Sequence, residues 1–520
     1  MPPTSPTPVN RDEAPLRAAV RSDPGAPSRA PLRERGDACP GALRLHAADD
    51  GRLARLRLPA GLLTIRQAEA LADAAERLGD GHLDLTSRGN VQLRGLDGSC
   101  GPELAGLLHE AGLLPSETHE RLRNIVASPL AGLDELAGPD ELPYASVQLW
   151  ARELDGLLCA SARAASLSGR FLFALDDGRG DVAALGADVT LLAHRDGSVV
   201  VRTGANRSGP CVAPEDAPRA ALLAAETFLT LAEAGGSGAW RVRELPAEDG
   251  RELDAALRAA LADAGIATQD VADAPEQGPS STPGPESPRP ESPGPESPGP
   301  ESPGPESPGP EGDPPVPGLV RSPDGTVALS VHACLGRLTV AQWRLLAAAA
   351  NGPLRVTPWR GVIVPGVAPA VADAVLDRLR TAGLITAPDS PWYGVGACTG
   401  RPGCAKALAD VRSDATAAAL SPAASSAASS ATSRAVSHSS GGLPVYWSGC
   451  ARRCGHPQGR WVDVVATGEG RYDISVQDQD QDQVQVRGDG PNTTTTGPEP
   501  GPGPELADAV AAARTTPLTR

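Results

Sequence analysis

Lysine is nearly absent from this sequence: of 47 Lys and Arg residues in 520, only Lys406 is a lysine. Aromatic residues make up 3% and methionine occurs once, so any core is built from Leu, Val and Ala. No basic run is interleaved with aromatics. The groove-and-stacking chemistry of a nucleic-acid binder is therefore missing, and no nucleic acid is expected as a partner. No stretch of about eighteen apolar residues occurs, which excludes a membrane-spanning helix. The chain opens on a Pro-rich, charged tract rather than a basic segment followed by an apolar one. With nine cysteines and no secretion signal, the expected location is the reducing cytoplasm. There is neither a G-x-G-x-x-G between a strand and a helix nor a Walker A sequence, so electrons for redox chemistry would come from a separate protein.

The net charge of −17 says little about the folded parts. Residues 270–316 hold ten acidic side chains against Arg289, and residues 477–505 hold six against Arg487, so these two segments carry −14 of it. The remainder is near neutral, and its cations are arginines.

What the chain does have is a pattern of four cysteines. Cys398 and Cys404 lie in ACTGRPGCAKAL with five residues between them, and Cys450 and Cys454 lie in YWSGCARRCGHP with three between. Four thiolates from two short loops can enclose a soft, tetrahedrally bonded metal centre, and wide spacing with glycine and proline nearby suits an iron-sulfur cluster. Zinc, whose paired ligands usually stand closer in sequence, is the competing reading. Cys39, Cys100, Cys159, Cys211 and Cys334 have no partner spacing and read as small buried or incidental residues.

Along the chain, residues 1–35 lack periodicity and read as disordered. A strand at 52–58 precedes a helix capped by Thr64 with Gln67, which runs until Gly79. Strands in HLDLT and NVQLRG and a short helix complete a unit over 36–135. The same order returns at 318–390, where Thr339 and Gln342 repeat the cap; Thr86 matches Thr357, and Ala111 matches Ala382, at a common offset of 271. We read an internal duplication related by a pseudo-two-fold axis. Between the copies, 136–270 reads as an α/β domain without a cluster, in which the RGD at 179–181 is a turn, and 271–317 as a PGPES spacer. The cysteine domain spans 391–476 with an Ala/Ser insert at 415–442 that must loop out, and 477–520 reads as a solvated, disordered tail.

Several arginines sit in short motifs rather than on helix faces: Arg57 in LRLPAG, Arg88 and Arg94 in TSRGNVQLRG, Arg121 and Arg123 in RLRNIVASP, and Arg360 in TPWRG. The planar guanidinium fork binds carboxylate bidentately, so arginines converging from duplicated units could line a cavity for a polyanion. Arg88 and Arg360 fall in equivalent loops of the two copies.

These motifs together, with FALDDGRGD and the C-x5-C…C-x3-C pattern, resemble the sulfite and nitrite reductase superfamily, and within it the precorrin-3B synthase family. The resemblance covers about residues 36–475 apart from the two inserts. It implies an α+β fold of two ferredoxin-like half-domains plus two α/β domains in pseudo-two-fold duplication. It also implies a [4Fe-4S] cluster on Cys398, Cys404, Cys450 and Cys454, the last of which in the reductases bridges to sirohaem iron. Tetrapyrrole carboxylates would be held by Arg57, Arg88, Gln92 and Arg123, with Asn124 beside them and Arg170 and Arg360 in the same set. Where the reductases carry two basic residues one apart, this chain has Arg170 and then Leu172, which weakens sulfite binding and suits a tetrapyrrole substrate.

The implied reaction is O2-dependent hydroxylation of precorrin-3A at C20 with γ-lactone closure. A ferredoxin or an NAD(P)H-dependent reductase would donate the electrons. A mononuclear non-haem iron is implied as well, with His456 the nearest candidate ligand, although a structural role suits that residue better. The alternatives are a sirohaem-dependent sulfite or nitrite reductase and, from another class, a non-enzymatic metal-binding scaffold whose PGPES spacer recruits partners.

Overall fold

The computed structural model describes residues 37, 39–134, 147–194, 196–269, 314–321, 325–421, 442–457, 459–477 and 504–515. The expected N-terminal tract, nearly all of the PGPES spacer, most of the Ala/Ser insert and the acidic run after Gln477 lie outside these residues.

The first unit opens with the hairpin β1 (His46–Ala48) and β2 (Gly51–Leu56). A 3-10 turn at Pro59–Gly61 and the short β3 (Leu62–Leu63) follow. Helix α1 (Ile65–Leu78) then starts on a full capping box: the Thr64 hydroxyl accepts from Gln67 N, and the Gln67 side chain accepts from Thr64 N. Its inner face buries Ala68, Leu71 and Ala75. Strands β4 (His82–Leu85) and β5 (Val91–Leu96) and helix α2 (Gly101–Glu110) complete the unit.

The next domain begins earlier than the sequence suggested. β6 (Ile125–Ala127), a short apolar run that shows no alternation, is not part of the first unit but pairs in parallel with β7 (Phe173–Asp176), beyond α3 (Val147–Ala160). β8 (Val189–Ala193), β9 (Val199–Thr203) and β10 (Cys211–Val212) extend the sheet in the order β10-β9-β8-β7-β6. Helices α4 (Ala217–Ala234) and α5 (Ala247–Asp263) pack beside it.

The second unit repeats the first through β11 (Gly318–Arg321), β12 (Val327–His332), β13 (Arg337–Thr339), α6 (Val340–Ala349), β14 (Leu354–Val356), β15 (Gly361–Val367) and α7 (Pro369–Thr381). Its Thr339 and Gln342 form the second capping box. The two units are interlocked rather than side by side. One sheet runs β1-β2-β5-β4-β13 and the other β11-β12-β15-β14-β3, so each takes its last strand from the other copy. One apolar core serves both, and the fully buried Trp343 of α6 donates its indole N–H to Ala68 O of α1 at 2.8 Å.

The last domain has β16 (Val395–Ala397), α8 (Val411–Ala419), β17 (Val445–Ser448), β18 (Trp461–Gly468) and β19 (Arg471–Gln477), in sheet order β16-β17-β18-β19. Two expectations are corrected here. The Ala/Ser insert does not leave the fold at 415, because Ala415 and Ala419 are buried on α8. The tail is not wholly a solvated appendix. Helix α9 (Pro504–Arg514) returns to the domain and buries Leu506, Ala507 and Val510 in its core. The apolar spacing of LADAV outweighs the Pro- and Gly-rich stretch before it.

Candidate metal centre and anion cleft

Cys398 is the first residue after β16 and Cys450 the second after β17. These strands are parallel neighbours with Ala397 opposite Trp447, so both cysteine loops leave the same end of one sheet. Cys398 N donates to Trp447 O at 2.9 Å, Gly449 N donates to the Cys398 Sγ at 3.2 Å, and Leu408 N donates to Gly449 O at 2.7 Å. Burial raises the Cys454 thiol above its ordinary range, and the neighbouring Cys398, Cys450 and Cys404 raise it further. All four cysteines thus share one neighbourhood as free thiols.

The central module grips both loops. From the first unit, Arg94 closes bidentately on Asp50 at 2.7 and 2.8 Å and donates to Gly403 O at 2.9 Å, while Asp49 accepts from Ala405 N. Arg412 on α8 donates to Cys398 O at 3.2 Å and reaches Asp84 of β4 at 3.3 Å. From the second unit, Arg360 donates to Gly455 O at 2.6 Å and lies 5.1 Å over the Tyr446 ring, whose hydroxyl donates to Cys454 O at 2.6 Å. His456 stacks on Trp461 with ring centroids 4.8 Å apart and donates from Nδ1 to Pro457 O at 2.8 Å.

Beside this region the arginines separate into two groups. Arg57 is 4% exposed; its Nε donates to Arg121 O at 3.0 Å, and its buried Nη1 has no partner. Arg55, two residues earlier on the same face of the chain, donates to Gln92 Oε1 at 2.9 Å and leaves a buried Nε without a partner. Burial pulls Arg57 down to about 9, with Arg55 adding to the effect; burial pulls Arg88 down to about 10, with Arg241 adding. Arg170 lies 5.3 Å over Trp240, and Cys39 feels both Arg57 and Arg170. Arg55, Arg57, Arg88, Gln92 and Arg170 therefore share one neighbourhood, in which Arg57 lies within electrostatic reach of Arg55 and Arg88 and Arg55 lies within reach of Cys454.

Arg123 and Asn124 are committed elsewhere. Arg123 closes on Asp155 at 2.6 and 2.7 Å, and Asn124 is buried, donating to Gly169 O and Phe171 O and accepting from Asn90. Both side chains are occupied by these partners. Arg360 reaches the cysteine loops rather than the group around Arg57. Leu172 is buried in a small apolar cluster, so no cation stands there.

The duplication extends to the cysteine site. In the α/β domain, Ser128 follows β6 as Cys398 follows β16, Ser128 N donates to Leu175 O at 3.0 Å, and Asp177 N donates to Ser128 Oγ at 3.2 Å. The counterpart of the cysteine loops is filled with protein: Ser128 donates to Asp181 at 2.6 Å, and Arg179 bridges Asp177 and Asp134 at 2.6 and 2.8 Å. The clustered carboxylates of Asp176, Asp177 and Asp181 accept from backbone N–H groups and Arg179.

The comparisons with known proteins agree with this architecture. The nitrite/sulfite reductase ferredoxin-like half domain matches twice, at residues 46–111 and 320–382. The central module is thus a pair of such half domains in a chain of α+β fold. Among relatives, it is 45% identical to the ferredoxin–nitrite reductase of Synechococcus elongatus over 84 residues, 16% of either chain. It is 40% identical to the precorrin-3B synthase of a Sinorhizobium species over 108 residues, 21% of this chain and 22% of that one. The matched stretches thus span about a fifth or less of these relatives' length. The NirA protein of Mycobacterium tuberculosis shares the fold with a TM-score of 0.59 at 18% identity, over 81% of this chain and 74% of that one.

The four-thiol donor set fits an iron-sulfur cluster, and the orphaned Arg57 Nη1 fits a carboxylate. Sequence reasoning missed Arg55, Arg412 and Tyr446. Arg55 was legible as the period-two partner of Arg57; Arg412 and Tyr446 act through backbone carbonyls, for which no motif exists.

Proposed function

We propose that this chain is an oxidoreductase of the precorrin-3B synthase type, acting in the cytoplasm on precorrin-3A. The observation that carries this reading is the buried, unpartnered Arg57 guanidinium nitrogen among neighbouring arginines, one of which, Arg55, lies within electrostatic reach of Cys454. A reduced tetrapyrrole bears many carboxylates, which would take the unpartnered guanidinium nitrogens of Arg55 and Arg57, with the charge of Arg88 nearby. Burying such pairs fixes the macrocycle's register, so these arginines orient one meso carbon toward the thiol-bearing loops, which is catalysis by positioning. Cys398, Cys404, Cys450 and Cys454 would hold a [4Fe-4S] cluster, which when bound supplies electrons singly. One oxygen atom of O2 enters at C20 with lactone closure by the ring A acetate. The other leaves as water, consuming two electrons from a ferredoxin or an NAD(P)H-dependent reductase and two protons.

Anaerobically reconstituted protein given precorrin-3A, O2 and a donor should yield a product heavier by one oxygen atom. No turnover by fully loaded protein would overturn the assignment. The identity to ferredoxin–nitrite reductase supports a second reading, a sirohaem-dependent reductase. Strong chlorin-type visible bands in the purified protein would favour it, and a broad cluster shoulder alone would favour the synthase. The buried Leu172 where a second anion-gripping cation would stand argues against the reductase.

A further inference from the structure

The hairpin turns of the two half domains share one hydrogen-bond pattern but differ in the residue at the left-handed position. In the first, Thr86 N donates to Asn90 O and Asn90 N to Thr86 Oγ1, with Gly89 at φ 63°. In the second, Thr357 N donates to Gly361 O and Gly361 N to Thr357 Oγ1, with Arg360 at φ 59°. An arginine thus occupies the left-handed position that its duplicate gives to glycine. A non-glycine residue there costs about 1–2 kcal/mol, and such strain persists where the side chain is put to use.

The use is visible in its contacts. The Arg360 side chain leaves its half domain, lies over Tyr446 and donates to Gly455 O at 2.6 Å, one residue past Cys454, while Tyr446 donates to Cys454 O. Glycines clear its path: a Cβ at Gly396 would stand 3.0 Å from Nη1, and one at Gly455 would stand 3.1 Å from Nη2. The loop being held needs holding, since Arg453 and Gly455 flank Cys454 at φ 48° and 83°. We propose that Arg360, with Tyr446, is a positioning residue that fixes the backbone of Cys454 and places a positive charge beside the bound cluster. Its charge would favour the more negative, reduced cluster and so raise its midpoint potential. The inference rests on the iron-sulfur reading of the four thiols, but not on the identity of the substrate.

The test uses full-length protein, reconstituted anaerobically, with Arg360→Gly, Arg360→Gln, Arg360→Lys and Tyr446→Phe variants. The readouts are an EPR-monitored redox titration, the rate of cluster loss to a chelator, and melting of the apo-protein. Arg360→Gly removes the backbone strain, so its apo-protein should melt no lower than wild type. Its cluster should nevertheless leave faster and titrate at a lower potential, as should that of Arg360→Gln. A tenfold change in the reduced-to-oxidised ratio is about 59 mV for one electron. Arg360→Lys, which keeps the charge, should recover most of the potential, and Tyr446→Phe should speed cluster loss with little change in potential. Unchanged potential and loss rate in Arg360→Gly and Arg360→Gln would overturn the proposal. A wild-type protein that binds no iron-sulfur cluster would instead overturn the reading beneath it.

Discussion

Replacing Arg57 with glutamine should make the free protein more stable and its ligand binding weaker. In the free chain this residue is 4% exposed, its guanidinium donates to Arg121 O, and burial, with Arg55 adding, pulls its pKa well below the ordinary arginine range to about 9. At roughly 1.4 kcal/mol per unit, keeping that charge buried costs on the order of 5 kcal/mol. The hydrogen bond to Arg121 O returns about 1.5–3 kcal/mol. The balance favours Arg57→Gln by a few kcal/mol, which should raise the apparent melting midpoint by several degrees. Losing a buried charged partner typically costs a complex about 2–5 kcal/mol, or roughly 30- to several-thousand-fold in affinity. Scanning calorimetry of the apo-protein and fluorescence titration with uroporphyrin, a stable porphyrin octacarboxylate, measure the two effects. A variant that melts lower and binds as tightly as wild type would show that Arg57 is structural, and the anion-cleft reasoning would be wrong.

The other predictions concern the metal site, one histidine and the tail. Cys398→Ser or Cys450→Ser should abolish the visible cluster absorbance, whereas Cys100→Ser, in the core of the half domains, should leave it intact. His332 is buried with Nε2 3.0 Å from Pro315 O, and burial lowers its pKa to about 4. Its folded value lies below the unfolded 6.5, so stability is lost as pH falls from 6.5 to 4, by about 3 kcal/mol in all. Urea melts of His332→Gln should be flatter across that window than those of wild type. Deleting residues 504–520 uncovers the core that Leu506 and Val510 close and removes the bonds from Arg514 to Leu443 O and Tyr393 O. At about 1.5–3 kcal/mol per large apolar side chain, cluster-domain melting should drop markedly.

Much of the architecture could be read from the chain itself. The two capping boxes, Thr64 with Gln67 and Thr339 with Gln342, and the matched Thr86 and Thr357 turns exposed the duplication because each depends on side chain to backbone bonding within a few residues. The exchange of β3 and β13 between sheets was not legible, since pairings such as Leu338 with Leu83 and Leu354 with Leu63, so far apart in the chain, leave no local trace. At the site, cysteine spacing pointed to the loops, but ranking the arginines needed their partners. Arg123 looked like Arg57 in sequence, and only Asp155, on a helix of another domain, shows that its fork is already closed. Arg360 was matched to Arg88 by loop, yet the residue it replaces is Gly89, and that one-residue difference changes its role.

The central claim is that four thiols, braced by both half domains, hold an iron-sulfur centre next to the cluster of buried arginines. Iron and acid-labile sulfide analysis of anaerobically purified protein, paired with EPR after reduction, tests it most directly. The account predicts about four irons and four sulfides per chain and the signal of a reduced [4Fe-4S] cluster. Stoichiometric zinc with no labile sulfide and no such signal would contradict it.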